Sequence, residues 1–330
     1  MKRRIGLLVF ATMMAYATEP SSETRRTVRD GAKAKLTFRV ADSQGHPVAN
    51  ANVNVFFHFL GGAKSYSSEY VTDTNGICVV EGVCSQRVNS LFTKDGCYQT
   101  EYEHKYLTSY PTLDNVKDGK WQPWNPTIEI TLKEKRNPIS MYAKTANVSL
   151  PKRGEAFGFD MKKGELVKPH GNGEQADLLF MCNIEERGHI LDFKKELFVS
   201  AVQPEEGVIV NAMEGSQFRT IYEAQENGYS PWFYQVTDRT RSSILQTIEW
   251  NGTEYLTFRS RIVRDHEGKI ISSHYGKIVS MRTYGADEKN PNGARVSFTY
   301  YFNPTPNDRN IEYDPNENLF DKVKFRGMQP

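Results

Sequence analysis

No stretch of this 330-residue sequence stays apolar for the roughly 20 residues that a helix needs to cross a bilayer. The nearest candidate, Ile5 to Met14, is about half that length and sits at the extreme N-terminus. Cysteine is scarce, with four in the whole chain and no CxxC pair or paired histidine beside them, so the usual zinc spacings are excluded. An excess of one charge is missing too. There are 42 basic and 40 acidic residues, and losing Lys2, Arg3 and Arg4 with a cleaved leader reverses the balance to 39 against 40. A near-neutral chain has no global field to attract nucleic acid. The sequence also lacks a GxSxG elbow, an HExxH pair, a P-loop and a GxGxxG after a strand. It shows no four-turn amphipathic helix, long repeat or low-complexity tract.

Aromatic residues, by contrast, are plentiful at 12% of the chain, which gives it enough surface to bury and argues for a folded protein. The first seventeen residues read as a secretory leader. Lys2-Arg3-Arg4 is a basic start, Ile5 to Met14 is a short apolar run, and Ala15-Tyr16-Ala17 offers the small residues at which a signal peptidase cuts. Cleavage after Ala17 is expected, placing the mature protein in the periplasm or outside the cell. No cysteine follows the leader to accept a lipid.

Period-two patterning dominates the rest. Leu36, Phe38 and Val40 alternate with polar residues, and Ala51, Val53, Val55 and Phe57 alternate with Asn50, Asn52, Asn54 and Phe56. Asparagine is a poor interior residue, so that strand has one wet face. Asp42 to Pro47 and Asp73-Thr74-Asn75-Gly76 read as turns. In the second half, strand patterning resumes at Ala176 to Ile184. It culminates in a meander of Tyr255 to Asp265, Ile270 to Tyr284 and Arg295 to Phe302. The fold class these patterns predict is all-β: a transthyretin- or Ig-like β-sandwich followed by a second antiparallel β-sandwich-like domain.

Three segments carry a family resemblance. Gly45-His46-Pro47-Val48-Ala49-Asn50-Ala51-Asn52-Val53, Thr72-Asp73-Thr74-Asn75-Gly76 and Lys94-Asp95-Gly96-Cys97-Tyr98 look like the opening, turn and exit of the carboxypeptidase-regulatory-like domain. The resemblance covers about residues 30–134 and implies a seven-stranded transthyretin-type sandwich with an accessory, structural or binding role. The long insertion from Tyr98 to Pro126 departs from that pattern. The expected organisation is a leader at 1–17, the regulatory-like sandwich at 28–136, a linker at 137–155 ending the Asn137-Pro138 boundary, a second β domain at 156–302 and an extended tail at 303–330.

Candidate chemistry is thin. The seven histidines are scattered, and the doublets Glu185-Glu186 and Glu205-Glu206 point to opposite faces of a strand, which makes each a poor catalytic pair. Gly171-Asn172-Gly173-Glu174 reads as a turn. At most one disulfide is expected, within Cys78, Cys84 and Cys97, with Cys182 free, the alternative being that the cysteines are small buried hydrophobes. The aromatic insertion supplies the candidate binding residues, Trp121, Trp124, Tyr106 and Tyr110, while Trp232 within Ser230 to Tyr234 is expected in the core. The resulting expectation is an exported, non-catalytic binding or scaffolding protein that recognises glycan or another envelope protein, without metal, cofactor, nucleic acid or membrane span. The alternative is a secreted carbohydrate hydrolase whose carboxylates come from separate strands of the second domain.

Overall fold

The computed structural model describes residues 26–320, apart from 28, 61, 63, 86, 107–114, 190–191, 241–245, 249–251 and 286–289. The expected leader and Tyr110 lie outside the described residues. The chain forms two compact units, one made of Met1–Lys94 with Glu101–Leu132 and the other of Asp95–Thr100 with Lys133–Pro330. Every named element among the described residues is a strand, and none is a helix long and apolar enough to cross a membrane.

In the first unit the strands are β1 (Ala32–Ala41), β2 (Asn52–His58), β3 (Tyr66–Val71), β4 (Ile77–Cys84), β5 (Arg87–Thr93), β6 (Thr100–Lys105), β7 (Val116–Lys117), β8 (Lys120–Trp121) and β9 (Thr127–Thr131). One sheet runs β4-β1-β8-β7 with β9 also paired to β1, and the other runs β3-β2-β5-β6. The alternation in β1 is the cause of the sandwich. Leu36, Phe38 and Val40 turn inward, while Phe38 meets Phe92 of the other sheet edge-on with ring centroids 5.0 Å apart. Both expected turns form through one device: Asp42 and Asp73 each accept two backbone N–H groups with a side-chain oxygen. Gly76 is required in its turn, at φ +71°, because a Cβ there would meet the Val40 carbonyl at 2.3 Å.

The second unit contains β10 (Ile139–Leu150), β11 (Phe157–Asp160), β12 (Glu165–Leu166), β13 (Leu178–His189), β14 (Asp192–Ser200), β15 (Gly207–Ala212), β16 (Trp232–Arg239), β17 (Gln246–Ile248), β18 (Glu254–Arg264), β19 (Ile270–Tyr284), β20 (Ala294–Phe302) and β21 (Tyr313–Asn318). Two six-stranded sheets, ordered β15-β18-β19-β20-β10-β21 and β12-β11-β13-β14-β16-β17, enclose the core. Phe180 stacks on Phe298 at 4.6 Å and Phe159 meets Phe298 edge-on at 5.0 Å, which joins the sheets. The β18-β19-β20 meander falls where the alternation predicts it.

Two expectations about organisation give way. Residues 137–155 are not a linker, because β10 runs through them and pairs with β20 over nine residues. Its pattern is hidden because Ala146, Val148 and Leu150 face the main core while Met141 and Ala143 face a second cluster on the other side. Nor do residues 303–320, the described part of the expected tail, simply run extended. Asn303, Ile311 and Glu312 are buried, and β21 pairs in parallel with β10. Pro315 is tolerated there because β21 is an edge strand.

Two buried charged groups organise this unit. At a bulge in β18, Arg261 adopts φ +53° and reaches Asp177 with Nε and Nη2, both at 2.8 Å, and Asp160 with Nη2 at 2.8 Å. Asp177 also accepts from Ser260 Oγ and Met161 N, while Asp160 accepts from the N–H groups of Lys162, Lys163, Glu174 and Gln175. Those backbone N–H groups hold the Asp160 carboxyl below its usual range against the opposing effect of burial, with Arg261 adding to the pull. The second group is Lys277, fully buried on the outer side of the β18-β19-β20 sheet. Its Nζ donates to Thr220 Oγ1 at 3.0 Å and sits 4.8 Å from the ring centres of both Phe218 and Tyr301. Lys133 reaches the same place, donating to the Thr220 carbonyl at 2.6 Å and pairing with Glu214 at 3.0 Å.

Replacing Asp177 with Ala is expected to destabilise the protein by about 3–5 kcal/mol in denaturant unfolding, because Arg261 is left buried and less well paired. Burial, helped by the nearby Lys133 charge, pushes Lys277 down to about 7. The folded chain therefore binds this proton less tightly than the unfolded chain. Between pH 7 and the ordinary lysine value the unfolded state carries more protons, so stability rises with pH across that window and this group contributes no slope below it. Melting curves from pH 6 to 9 should show that rise in the wild type and lose it in Lys277→Met, which should be at least as stable at pH 7.

Candidate ligand-binding face

The aromatic insertion is where sequence and structure part. Trp121 is fully buried at the end of β8, its Nε1 donates to the Cys84 carbonyl at 2.8 Å, and its ring stacks on Tyr106 at 5.1 Å. Tyr106 is buried as well, and burial pushes its phenol up. These two residues belong to the first unit's core and cannot meet a ligand. Trp124 is half-buried, with Lys120 Nζ 5.0 Å from its ring centre. Tyr110 lies outside the described residues. The three described candidates, Tyr106, Trp121 and Trp124, thus do not form an exposed surface together.

No disulfide joins any of Cys78, Cys84, Cys97 and Cys182, which is within the expectation of at most one bridge that leaves Cys182 out. Cys78 and Cys84 are six residues apart on one extended strand, hence about 20 Å apart, where a bridge needs Cα atoms within about 7 Å. Burial pushes Cys78 up to about 11 and Cys182 up to about 12, which keeps both protonated and unreactive at neutral pH. Among the described residues no three His, Cys, Asp or Glu side chains gather as a metal site. The carboxylates considered for hydrolysis are engaged in structure. Glu185 pairs with Arg187, Glu186 with Arg153 and Glu205 with Arg264. Glu206 is buried and accepts from Gln203 Nε2 and Ile262 N.

The residue that sequence reasoning misplaced is Trp232. Instead of lying in the core it opens β16 at 57% exposure, the largest exposed aromatic among the described residues. Period two allows either face of Trp232-Phe233-Tyr234-Gln235 to point inward. The structure buries Phe233's face, with Gln235 inside, and turns Trp232 and Tyr234 outward. Nothing in the residues of β16 alone decides between these. Its neighbours do: Leu197 and Val199 of β14 fill the core, so Phe198 and Ser200 face out beside Tyr234 and Trp232.

The outer face of this sheet is therefore an ordered platform. One row runs Met181–Phe198–Tyr234 across β13, β14 and β16, and the next runs Leu179–Ser200–Trp232. The Phe198 and Tyr234 rings lie 4.7 Å apart at 38°. Tyr234 OH donates to Glu196 Oε1 at 2.7 Å, and Lys194 holds Glu196 at 2.8 Å. The hydrogen bonds from Lys194 and Tyr234 keep the Glu196 carboxyl below its ordinary range. Three aromatic rings with polar groups at their margin, fixed on a sheet whose other side is core, can stack on a flat, partly apolar ligand and hydrogen-bond its edges.

Neither a family profile nor a curated protein matches the chain. Among solved structures, 3-chlorocatechol 1,2-dioxygenase from Rhodococcus opacus 1CP is 12% identical at a TM-score of 0.26, over 32% of this chain and 61% of that one. Hydroxyquinol 1,2-dioxygenase from Pseudomonas putida DLL-E4 is 14% identical at 0.24, over 32% and 58%. A variant of the shaft pilin SpaA from Lactobacillus rhamnosus GG is 9% identical at 0.22, over 71% and 89%. The chain thus spans about three fifths of the length of these dioxygenases. At such scores none of the three carries an argument about this protein.

Trp121→Ala should cost about 3–5 kcal/mol of stability, the range for truncating a buried large aromatic side chain. Trp124→Ala, at a half-buried position, should cost much less. Denaturant unfolding of the two single variants checks the assignment, and equal effects would contradict it.

Proposed function

We propose that this chain is an exported recognition protein that binds glycan through the outer face of the β13-β14-β16 sheet. The observation that carries the reading is Trp232, held 57% exposed beside Tyr234 and Phe198 on a rigid sheet. A large aromatic left in water is costly unless a ligand covers it, and aromatic residues at such positions dominate binding energy where a partner exists. Sugar rings present C–H groups on their faces and hydroxyls at their rims. An aromatic platform bordered by Glu196, Asn183 and Ser200 complements both. The near-neutral charge of the chain supports a neutral ligand found without electrostatic steering. Export rests on the leader-like N-terminus, and the accessory role on the resemblance of residues 30–134 to the carboxypeptidase-regulatory-like domain.

Pull-down of the protein on insoluble polysaccharides (cellulose, xylan, chitin and peptidoglycan) tests the reading. Trp232→Ala is expected to leave the melting temperature within about 2 °C of wild type, since its side chain is mostly exposed, while retention on the bound polysaccharide falls at least about tenfold. Retention that survives Trp232→Ala, or no retention of the wild type on any of the four, would overturn it.

A further inference from the structure

The first unit carries a different kind of concavity. A cavity of about 410 Å³ opens on the outer face of its β3-β2-β5 sheet, within the size range of small-molecule sites. Asn52 and Asn54 come from β2, Glu69 and Val71 from β3, and Leu91 and Thr93 from β5. Strand register arranges them in two rows. Asn52 lies between Val71 and Thr93, and Asn54 lies between Glu69 and Leu91. One step along the same face of β2, Phe56 stands 43% exposed.

Of the polar side chains that line the cavity, Tyr70 is engaged, its hydroxyl donating to the Glu81 carbonyl at 3.2 Å, and four others are open to a ligand. Three ion pairs lie elsewhere in this unit, Lys35 with Glu81, Arg39 with Glu129 and Arg87 with Glu103, and none of them reaches the cavity. Around the cavity, the side chains of Asn52, Asn54, Glu69 and Thr93 have no hydrogen-bond or ion-pair partner among the described residues. Four open polar groups in two adjacent rows, with Val71 and Leu91 beside them, offer hydrogen bonds and apolar contact to one small ligand. A sheet needs nothing from this outer face for its own stability, because Val53, Val55 and Phe57 already fill the core side of β2.

We propose that this cavity is a second binding site, taking a short neutral oligosaccharide. The two asparagine amides each offer a donor and an acceptor, Thr93 offers both, and Glu69 accepts. That set matches hydroxyl groups, which donate and accept at once. No cationic side chain lines the cavity, so an anionic ligand finds no counter-charge there. Val71 and Leu91 provide the apolar contact for a ring face, and Phe56 provides the next stacking surface along the strand. The ligand class rests on the glycan reading of the other unit, but the two sites share no residue.

Isothermal titration of the full chain with soluble cellohexaose, xylohexaose and mannohexaose separates them. The proteins compared are wild type, Trp232→Ala, the double variant Asn52→Ala with Asn54→Ala, and all three changes combined. Trp232→Ala should keep saturable binding of at least one hexaose. Adding the two asparagine changes should weaken it at least about tenfold, as expected for several lost hydrogen bonds, with the melting temperature unmoved. If Trp232→Ala abolishes all binding and the double variant binds like wild type, the cavity is not a site and the platform reading stands. If the double variant alone abolishes binding, the cavity stands and the platform reading fails. No binding of any hexaose by the wild type overturns the cavity proposal. So does binding of an oligolysine peptide that Glu69→Gln removes, because the ligand class would then be cationic.

Discussion

The bidentate grip of Arg261 on Asp177 is the contact on which the second unit turns. Asp177 and its neighbour Asp160 are buried, and isolated carboxylates there would be prohibitively desolvated. They are acceptable only because a guanidinium and a ring of N–H and O–H donors surround them. That requirement shapes the chain on both sides. β18 has to bulge, with Arg261 at positive φ, to aim the side chain inward. The segment between β11 and β13 has to fold tightly enough to deliver the Glu174 and Gln175 N–H groups to Asp160. Gly171 and Gly173 make this feasible, because a Cβ at either would run into the Leu166 carbonyl. The glycine-rich stretch is thus a lining for a buried carboxylate, and the sheet it secures is the one that carries Trp232 on its far side.

Much of the architecture was legible in the residues because period two is a strong signal wherever one face of a strand is dry and the other wet. The β18-β19-β20 meander and the wet face of β2 are of this kind. β10 was not legible, since its two halves bury opposite faces and the alternation changes phase within one strand. Proline misled at the C-terminus: Pro304 and Pro306 sit in a loop whose neighbours Asn303 and Ile311 are buried, and Pro315 is on an edge.

The aromatic residues show the limit most sharply. Local context, a polar and proline-rich segment, offers Trp121 as a binding residue and marks the apolar run around Trp232 as core, and it decides neither position. Whether a tryptophan is covered depends on partners far away in sequence: Cys84 and Tyr106 for Trp121, and the registration of β14 beside β16 for Trp232. Buried lysine is equally invisible. Lys277 follows an alternation that would suit any outward residue, and only the Phe218 and Tyr301 rings above and beside it show that this side of the sheet is closed.

The hexapeptide Asp95–Thr100 counts with the second unit although the first unit's chain flanks it on both sides. Within that unit Tyr98 donates to Glu312 at 2.8 Å and stacks on Phe218 at 5.1 Å, and Cys97 and Thr100 make bridges to Glu134 and Ser216. A fragment beginning at residue 133 would consequently lack a piece of its own interior. During synthesis the piece emerges well before Phe218 and Glu312, the partners of its Tyr98. A cut or a recombination joint at residue 133 therefore divides the second unit instead of separating two complete ones.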